Sequence, residues 1–315
     1  MNSFSRVIGL CAMLIAGGCA QAVAPDTPAI HADEKSAATM VSPANFSVDV
    51  FSGGSFKPDE PWQQGALIRG HVAPGSRVEF LGNMVYVDEQ GNFILGLGRD
   101  APTKVEVQVT APDGQVTRHT FDVVQRNYNI QRVSGIKEKF VTPNEASQRR
   151  VDHENELIGK ARSLREARAD FAHGFVWPLE GPISGVYGSQ RFYNGEPRQP
   201  HYGVDIVAPV GTKVRAPAAG KVTFAYDMYY SGWTLVLDHG QGLSSCFLHL
   251  SKVLVKVGDT VKQGDVIALV GATGRVTGAH LDWRMNWLDQ RIDAQLLVPP
   301  MLPEIQGDVR PGTAD

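Results

Sequence analysis

Three observations predict a mostly β protein. Seven short runs of alternating character lie between Phe46 and Val124, one charged amphipathic stretch follows Thr142, and Gly- and Pro-punctuated apolar runs resume at Phe175. The expected order is an N-terminal immunoglobulin-like β-sandwich, a linker α-helix and a second antiparallel β-domain. The chain of 315 residues is long enough for two ordinary domains, and 43% hydrophobic with 20% charged residues is the composition of a soluble globular protein. A formal charge of −3 gives no reason to expect nucleic acid as a partner.

The first residues, MNSFSRVIGLCAMLIAGGCAQAVAP, join one early basic residue, Arg6, to a short apolar core from Val7 to Ala16 and then to small residues. That pattern is an export signal rather than a structural helix. Two cuts fit it. Ile15-Ala16-Gly17-Gly18-Cys19 has the form of a lipobox, with Cys19 as the lipidated first residue, and Ala20-Gln21-Ala22 suits an ordinary signal peptidase. Of three cysteines, Cys11 leaves with the signal, Cys19 is lipidated or removed, and Cys246 is left alone, which excludes an intrachain disulfide. Cys246 lies in an apolar run and reads as a buried core residue.

Residues 25–42 are rich in Ala, Pro, Asp and Ser without a period and read as a tether. The runs FSVDVF, ALIRGHV, RVEFL, MVYV, NFILGL, KVEVQVT and VTRHTFDVV follow, separated by turn residues at Gly82-Asn83, Glu89-Gln90-Gly91-Asn92 and Pro112-Asp113-Gly114. His71 and His119 stand alone here and read as surface strand residues. Thr142, Pro143 and Glu145 form a capping box, and Val151, Leu157, Ile158, Ala161, Leu164 and Phe171 fall on one stripe up to a stop at Gly174. This helix is expected to dock on one of the chain's own domains. The expected boundaries are a signal over 1–24, a tether over 25–44, the sandwich over 45–125, the linker over 126–174, the second β-domain over 175–300 and a tail over 301–315.

Chemistry concentrates in that second β-domain: His201 and Asp205 in PHYGVDI, His249 in CFLHLS, and His280 with Asp282 in GAHLDW. His280 and Asp282, two apart in an extended run, share a strand face; they could be a metal-binding edge, half of a proton relay, or the wet side of a strand. His201 and Asp205 share a face but would lie about 13 Å apart in a straight strand. One ion can reach both only if the chain bends, and Gly203 is placed to allow it. Histidine and carboxylate suit Zn²⁺, and three protein ligands with an open position make a hydrolytic site.

At these residues the sequence resembles the lysostaphin-type (LytM-domain) zinc metallopeptidases, which cut peptide cross-bridges of bacterial peptidoglycan. The resemblance runs over about Phe175–Val298 through FVWPLEGPISGVYG, HYGVDI, APVGTKVRAPAAGKV, DHGQGLSSCFLHLS and VKVGDTVKQGDVIALVGATGRVTGAHL, in family order. It implies a LytM-type antiparallel β-domain (a duplicated hybrid motif) and one Zn²⁺ per chain. His201 and Asp205 fall on metal ligands, and His249 and His280 on the two catalytic histidines. The third ligand is normally the second histidine of H-x-H, and this chain has Asp282 there. Phe247 replaces a common tyrosine, His239 reads as structural, and Arg191 is a candidate for lining the substrate groove.

The resemblance therefore implies an exported peptidoglycan endopeptidase of a Gram-negative periplasm, cutting D-alanyl–diaminopimelate links, with membrane contact only through a lipid on Cys19. The alternative is a LytM domain that has lost catalysis and activates other wall hydrolases; the Asp282 change is the feature that points that way. A second carboxylate would make the ion and its ligands formally neutral and its bound water less acidic. If Asp282 is a ligand, Asp282→His keeps or raises zinc content and Asp282→Ala loses it. Equal metal in the two purified variants would sink the assignment.

Overall fold

The computed structural model describes residues 46–134 and 144–301. The export signal with Cys19, the tether, the Thr142–Pro143 cap and residues 302–315 lie outside the described residues. Among the described residues no helix is long and apolar enough to cross a membrane.

The N-terminal part contains β1 (Ser47–Ser52), β2 (Ser55–Lys57), β3 (Leu67–His71), β4 (Arg77–Phe80), β5 (Asn83–Val85), β6 (Asn92–Gly96), β7 (Lys104–Thr110) and β8 (Val116–Asp122). They pair into two four-stranded sheets, ordered β2-β1-β3-β6 and β5-β4-β7-β8, all antiparallel. Alternation works as expected. In β7, Val105, Val107 and Val109 are buried while Lys104 and Glu106 face solvent. The turns are closed by aspartates: Asp88 Oδ1 accepts from the backbone N–H of Gln90 at 2.9 Å and of Asn92 at 2.7 Å, and Asp113 Oδ1 from that of Gln115 at 2.9 Å. Strand β2 was not foreseen; its three residues carry too little pattern to stand out.

A segment leaving these two sheets supplies β9 (Ile130–Val133), and α1 (Glu145–Arg162) follows. The helix is capped by Asn144, whose side-chain oxygen accepts from the N–H of Ser147 at 2.9 Å. It also stops twelve residues before the Gly174 expected from the sequence, because tertiary hydrogen bonds claim the backbone beyond Ser163. The N–H of Gln241 donates to Glu166 O at 2.8 Å and that of Asp170 to His239 O at 3.1 Å, and the Arg168 guanidinium pairs with Asp238.

The C-terminal part comprises β10 (Ile183–Gly185), β11 (Gln190–Tyr193), β12 (Glu196–Pro197), β13 (Val204–Val207), β14 (Lys213–Arg215), β15 (Gly220–Met228), β16 (Gly232–Gly240), β17 (Leu243–Leu250), β18 (Lys252–Val253), β19 (Thr260–Val261), β20 (Val266–Leu269), β21 (His280–Trp287) and β22 (Gln290–Ile292). The main sheet runs β10-β13-β21-β17-β16-β15-β19, with β22 as a hairpin on β21; β14-β20-β18 form a small sheet, and β9 pairs parallel with β11 beside β12. One face of the main sheet enters a core that continues without a break into the N-terminal strands: Trp283, Met285 and Trp287 belong to the same buried cluster as Phe51, Phe80 and Phe93. On the other face, Ile158 and Ala161 of α1 cover Phe224, Met228, Val236, Cys246 and Leu248, so the helix docks on this chain's own sheet. Cys246 is 1% exposed, and Phe247 lies in the main core, facing away from the helix.

His239 is fully buried, with ring nitrogens 2.6 Å from Ala219 O and 2.7 Å from Ser245 Oγ. Burial, with a smaller contribution from the Arg168 charge, pushes its pKa down to about 4. The unfolded chain therefore binds this proton more readily than the native one, and stability falls as pH drops from about 6.5 towards 4. Urea denaturation at pH 7.5 and pH 4.5 should show roughly 2 kcal/mol of acid-induced loss from this group. The same comparison in His239→Gln should lack that increment.

Candidate metal centre

The site is built on the face of the main sheet that α1 partly covers. Strands β13 and β21 run antiparallel with Asp205 directly opposite Asp282. Along β21 the alternation places His280, Asp282 and Arg284 on this face, while Leu281, Trp283 and Met285 go to the core. His201 precedes β13, and the chain bends at Gly203 to bring its ring back over Asp205: His201 Nε2 is 3.1 Å from Asp205 Oδ1. Gly203 is needed for space as well as for the bend. A Cβ there would lie 2.3 Å from Asp282 Oδ1, and one on Gly185 would lie 2.2 Å from Asp205 Oδ2.

His249 reaches the site through an irregularity. Phe247 points into the main core, so regular alternation would send His249 the same way. The register between β16 and β17 shifts between Trp233↔Leu250 and Leu235↔Phe247, and His249 takes a left-handed φ of 63°. This bulge turns the imidazole onto the site face, with its ring centroid 4.9 Å from that of His280. A left-handed histidine is a strained residue held by its surroundings, a pattern that clusters at functional sites.

His201, Asp205 and Asp282 each offer a ligand atom, all within 4.8 Å of one another and all buried. Both nitrogens of His201 and Oδ1 of Asp205 are buried without a hydrogen-bond partner. Orphaned donors and acceptors of this kind are costly unless something fills the space between them, and two carboxylates directly opposite repel. A divalent cation answers both requirements, and nitrogen with carboxylate oxygen is a donor set that zinc accepts. These residues therefore fit a metal ion.

The carboxylates are held from outside by arginines. Arg191 donates to Asp205 Oδ2 at 2.6 Å, leaving Oδ1 towards His201. Arg284 grips Asp282 through Nε at 3.0 and 3.1 Å and a terminal nitrogen at 2.6 Å. Burial alone would raise both aspartate pKa values. His201, Arg191 and His280 hold Asp205 well below the usual carboxylate range, and Arg284 with His201 hold Asp282 below it. Arg191 is thus at the rim of the groove with its guanidinium committed to a ligand-set carboxylate. Arg284 was missed from sequence, although it is the next same-face residue after His280 and Asp282. Its charge and that of Arg191 offset the formal neutrality expected for an ion bound by two carboxylates.

The two flanking histidines have defined tautomers. Nδ1 of His249 lies 2.9 Å from Thr273 O, and Nδ1 of His280 lies 2.9 Å from Gly278 O. A carbonyl only accepts, so each Nδ1 carries a hydrogen, and Nε2 is the nitrogen of each ring left to accept a proton. His280 Nε2 is 3.8 Å from Asp205 Oδ1. Burial, against the pull of the Asp282 charge, pushes the His249 pKa down to about 4.

The open sheet face gathers metal donors from two antiparallel strands and sets two imidazoles beside them, an arrangement that fits a hydrolytic metal centre. Family comparison is more specific: residues 199–294 match peptidase family M23, and the chain carries an M23 (LytM-type) domain. Peptidoglycan DD-endopeptidase ShyB of Vibrio cholerae is 42% identical over 95 residues, covering 30% of this chain and 22% of that protein. A Haemophilus influenzae protein named an uncharacterized metalloprotease is 34% identical over 165 residues, 51% of this chain and 32% of its own. The chain spans about a fifth to a third of the length of the curated relatives it matches. The crystal structure of a Pseudomonas aeruginosa protein assigned to peptidase M23 superposes with a TM-score of 0.59 at 27% identity, covering 77% of this chain and 97% of that one.

Because a Cβ on Gly203 would meet Asp282, Gly203→Ala should weaken metal binding by about 10–100-fold, the usual cost of disturbing groups that orient a ligand. Titration with a fluorescent zinc chelator measures it. Native affinity in a folded Gly203→Ala protein would contradict the placement of Asp282.

Proposed function

We propose that this chain is an exported zinc endopeptidase that hydrolyses peptide cross-links of peptidoglycan in a Gram-negative periplasm, with the D-alanyl–diaminopimelate bond as its target. The observation that carries the reading is the convergence of His201, Asp205 and Asp282 with His249 and His280 on one sheet face. Relatives named peptidoglycan DD-endopeptidases support the substrate class. The apolar, small-residue leader supports export, with Cys19 as the lipid attachment point if the lipobox is used. The N-terminal strands read as an immunoglobulin-like sandwich over about 45–125, since β1, β3 and β6 on one sheet and β5, β4, β7 and β8 on the other partition as in that fold. That sandwich, the linker over 126–174 and the peptidase domain over 175–300 are the three working parts.

His201, Asp205 and Asp282 would hold the ion, which when bound supplies Lewis-acid polarisation of the scissile carbonyl and an acidified water. The chain's own residues do the rest. Nε2 of His249 or His280 accepts the proton of the attacking water, since in both rings Nδ1 is engaged by a backbone carbonyl and Nε2 is left as the acceptor. The imidazolium so formed donates to the carbonyl oxygen as negative charge develops there, and its proton then passes to the amide nitrogen as the C–N bond breaks, so that the leaving group departs as a neutral amine. Arg191 and Arg284 keep Asp205 and Asp282 ionised and aimed.

One observation favours the regulator reading: both oxygens of Asp282 are engaged by Arg284, a cation already in contact with a residue that a metal would need. A protein that binds no zinc, leaves peptidoglycan intact and yet stimulates a wall hydrolase would establish it. For the enzyme, purified protein should hold one zinc and release cross-linked muropeptide dimers as monomers, with loss of cleavage in chelator. His249→Asn, chosen because asparagine tolerates left-handed backbone, should keep its zinc while kcat falls about 10²–10⁴-fold. Unchanged turnover would remove His249 from the mechanism.

A further inference from the structure

Between α1 and the site face of the main sheet lies a cavity whose wall is unusually rich in one residue type. Arg162 of α1, Arg191 of β11, Arg275, Arg284 of β21 and Arg291 of β22 all line it, and it opens towards His201. The acids nearby are already committed. Glu154 accepts from Arg150 at 2.6 Å and from the backbone N–H of Tyr229 at 2.8 Å, while Asp205 and Asp282 are held by Arg191 and Arg284. Arg275 is stacked between Tyr193 and Tyr230, at 4.6 and 4.4 Å from the ring centroids.

Arg162 and Arg291 differ from the others in this wall. Among the described residues, neither has a carboxylate within ion-pair distance. Arg162 Nε donates to Ile158 O at 3.3 Å, and one terminal nitrogen of Arg291 donates to the Asn286 side-chain oxygen. A guanidinium has five N–H donors in a fork that matches a carboxylate, so most of this donor capacity has no protein acceptor. Burial, then the charges of Arg162 and Arg284, pushes the Arg291 pKa down to about 10, against the habit of a residue that normally stays charged. Two half-buried guanidiniums of like charge without a carboxylate partner repel each other, and an anion between them relieves this.

We propose that this cavity is a carboxylate subsite, in which Arg162 and Arg291 together receive a free carboxylate of an acidic peptide that extends from the metal centre to α1. The inference rests on reading the centre as one that binds a peptide, and adds where that peptide's charge is recognised. Arg162 lies outside the 199–294 span matched to the peptidase family. The linker helix is therefore part of the binding surface and sets a preference for acidic over amidated peptides.

The test uses full-length zinc-loaded protein and calorimetric titration with the tripeptide alanyl-γ-glutamyl-diaminopimelate, which lacks the scissile bond, beside the same tripeptide with its carboxylates amidated. The acid form should bind at least about tenfold more tightly, with the margin shrinking as salt rises. Arg162→Gln, a change in the last turn of the helix, should remove that margin and leave zinc content and affinity for the amide unchanged. Arg291→Gln should do the same, and Arg291→Lys should recover part of it. Equal affinity for acid and amide, or an unaltered margin in a folded Arg162→Gln, overturns the subsite. So does inorganic phosphate that displaces the tripeptide at equal concentration, which marks a general anion site. Muropeptide digestion on the same preparations separates the two readings. Cleavage without acid preference leaves the endopeptidase standing and removes the subsite, whereas acid preference without cleavage does the reverse.

Discussion

The register of β13 against β21 sets Asp205 across from Asp282, and most of the site follows from that single alignment. Side chains alternate with a period of two, so a slip of one residue would send Asp282 into the core and Trp283 onto the open face. The core makes the slip prohibitive, because Leu281, Trp283, Met285 and Trp287 are each essentially fully buried. Apolar packing on one face thus fixes the position of charged groups on the other. The facing carboxylates would repel on their own, and their coexistence depends on cations: Arg191 and Arg284 from the protein, and the ion for which His201 and Asp205 Oδ1 leave unsatisfied atoms.

Two local departures from regular structure complete the arrangement. The bulge at His249 costs a strained backbone and a broken ladder, and in return moves an imidazole from the core face to the site face. The early end of α1 has a different origin. Hydrogen bonds with the end of β16 and the turn after it compete for the backbone of residues 166–170 and win over helical continuation. The helix therefore ends at Arg162, which lines the cavity beside the site.

Much of this was legible in the sequence, for identifiable reasons. Half-buried antiparallel strands announce themselves by alternation, and seven of the eight N-terminal strands lie in the runs FSVDVF to VTRHTFDVV. His201, Asp205, His249, His280 and Asp282 stand in motifs with a recognisable order, and the fold brings them together. What the sequence hid depends on contacts between distant segments. The parallel pairing of β9 with β11 joins residues far apart in the chain, and nothing local in Ile130–Val133 signals it. The helix end was misplaced because Gly174 is a good stop signal, whereas the competing hydrogen bonds are tertiary. Arg284 was readable as the third same-face residue of HLDWR, but its bond to Asp282 joins neighbours two apart that sequence patterns do not distinguish from solvated charge.

The donor set has a consequence for the chain's thermodynamics. His201 and Asp205 come from one end of the domain sequence and Asp282 from the other, and they meet only once β13 has paired with β21. An unfolded chain therefore offers no comparable pocket, and any ion that binds the native centre draws the equilibrium towards the native state by mass action. At a free metal concentration a hundredfold above the dissociation constant the gain is about 2.7 kcal/mol, a large share of the stability of an ordinary domain. On the proposed zinc reading, metal availability would act as a folding variable, and the abundance of folded protein would follow zinc supply even where turnover is not limiting.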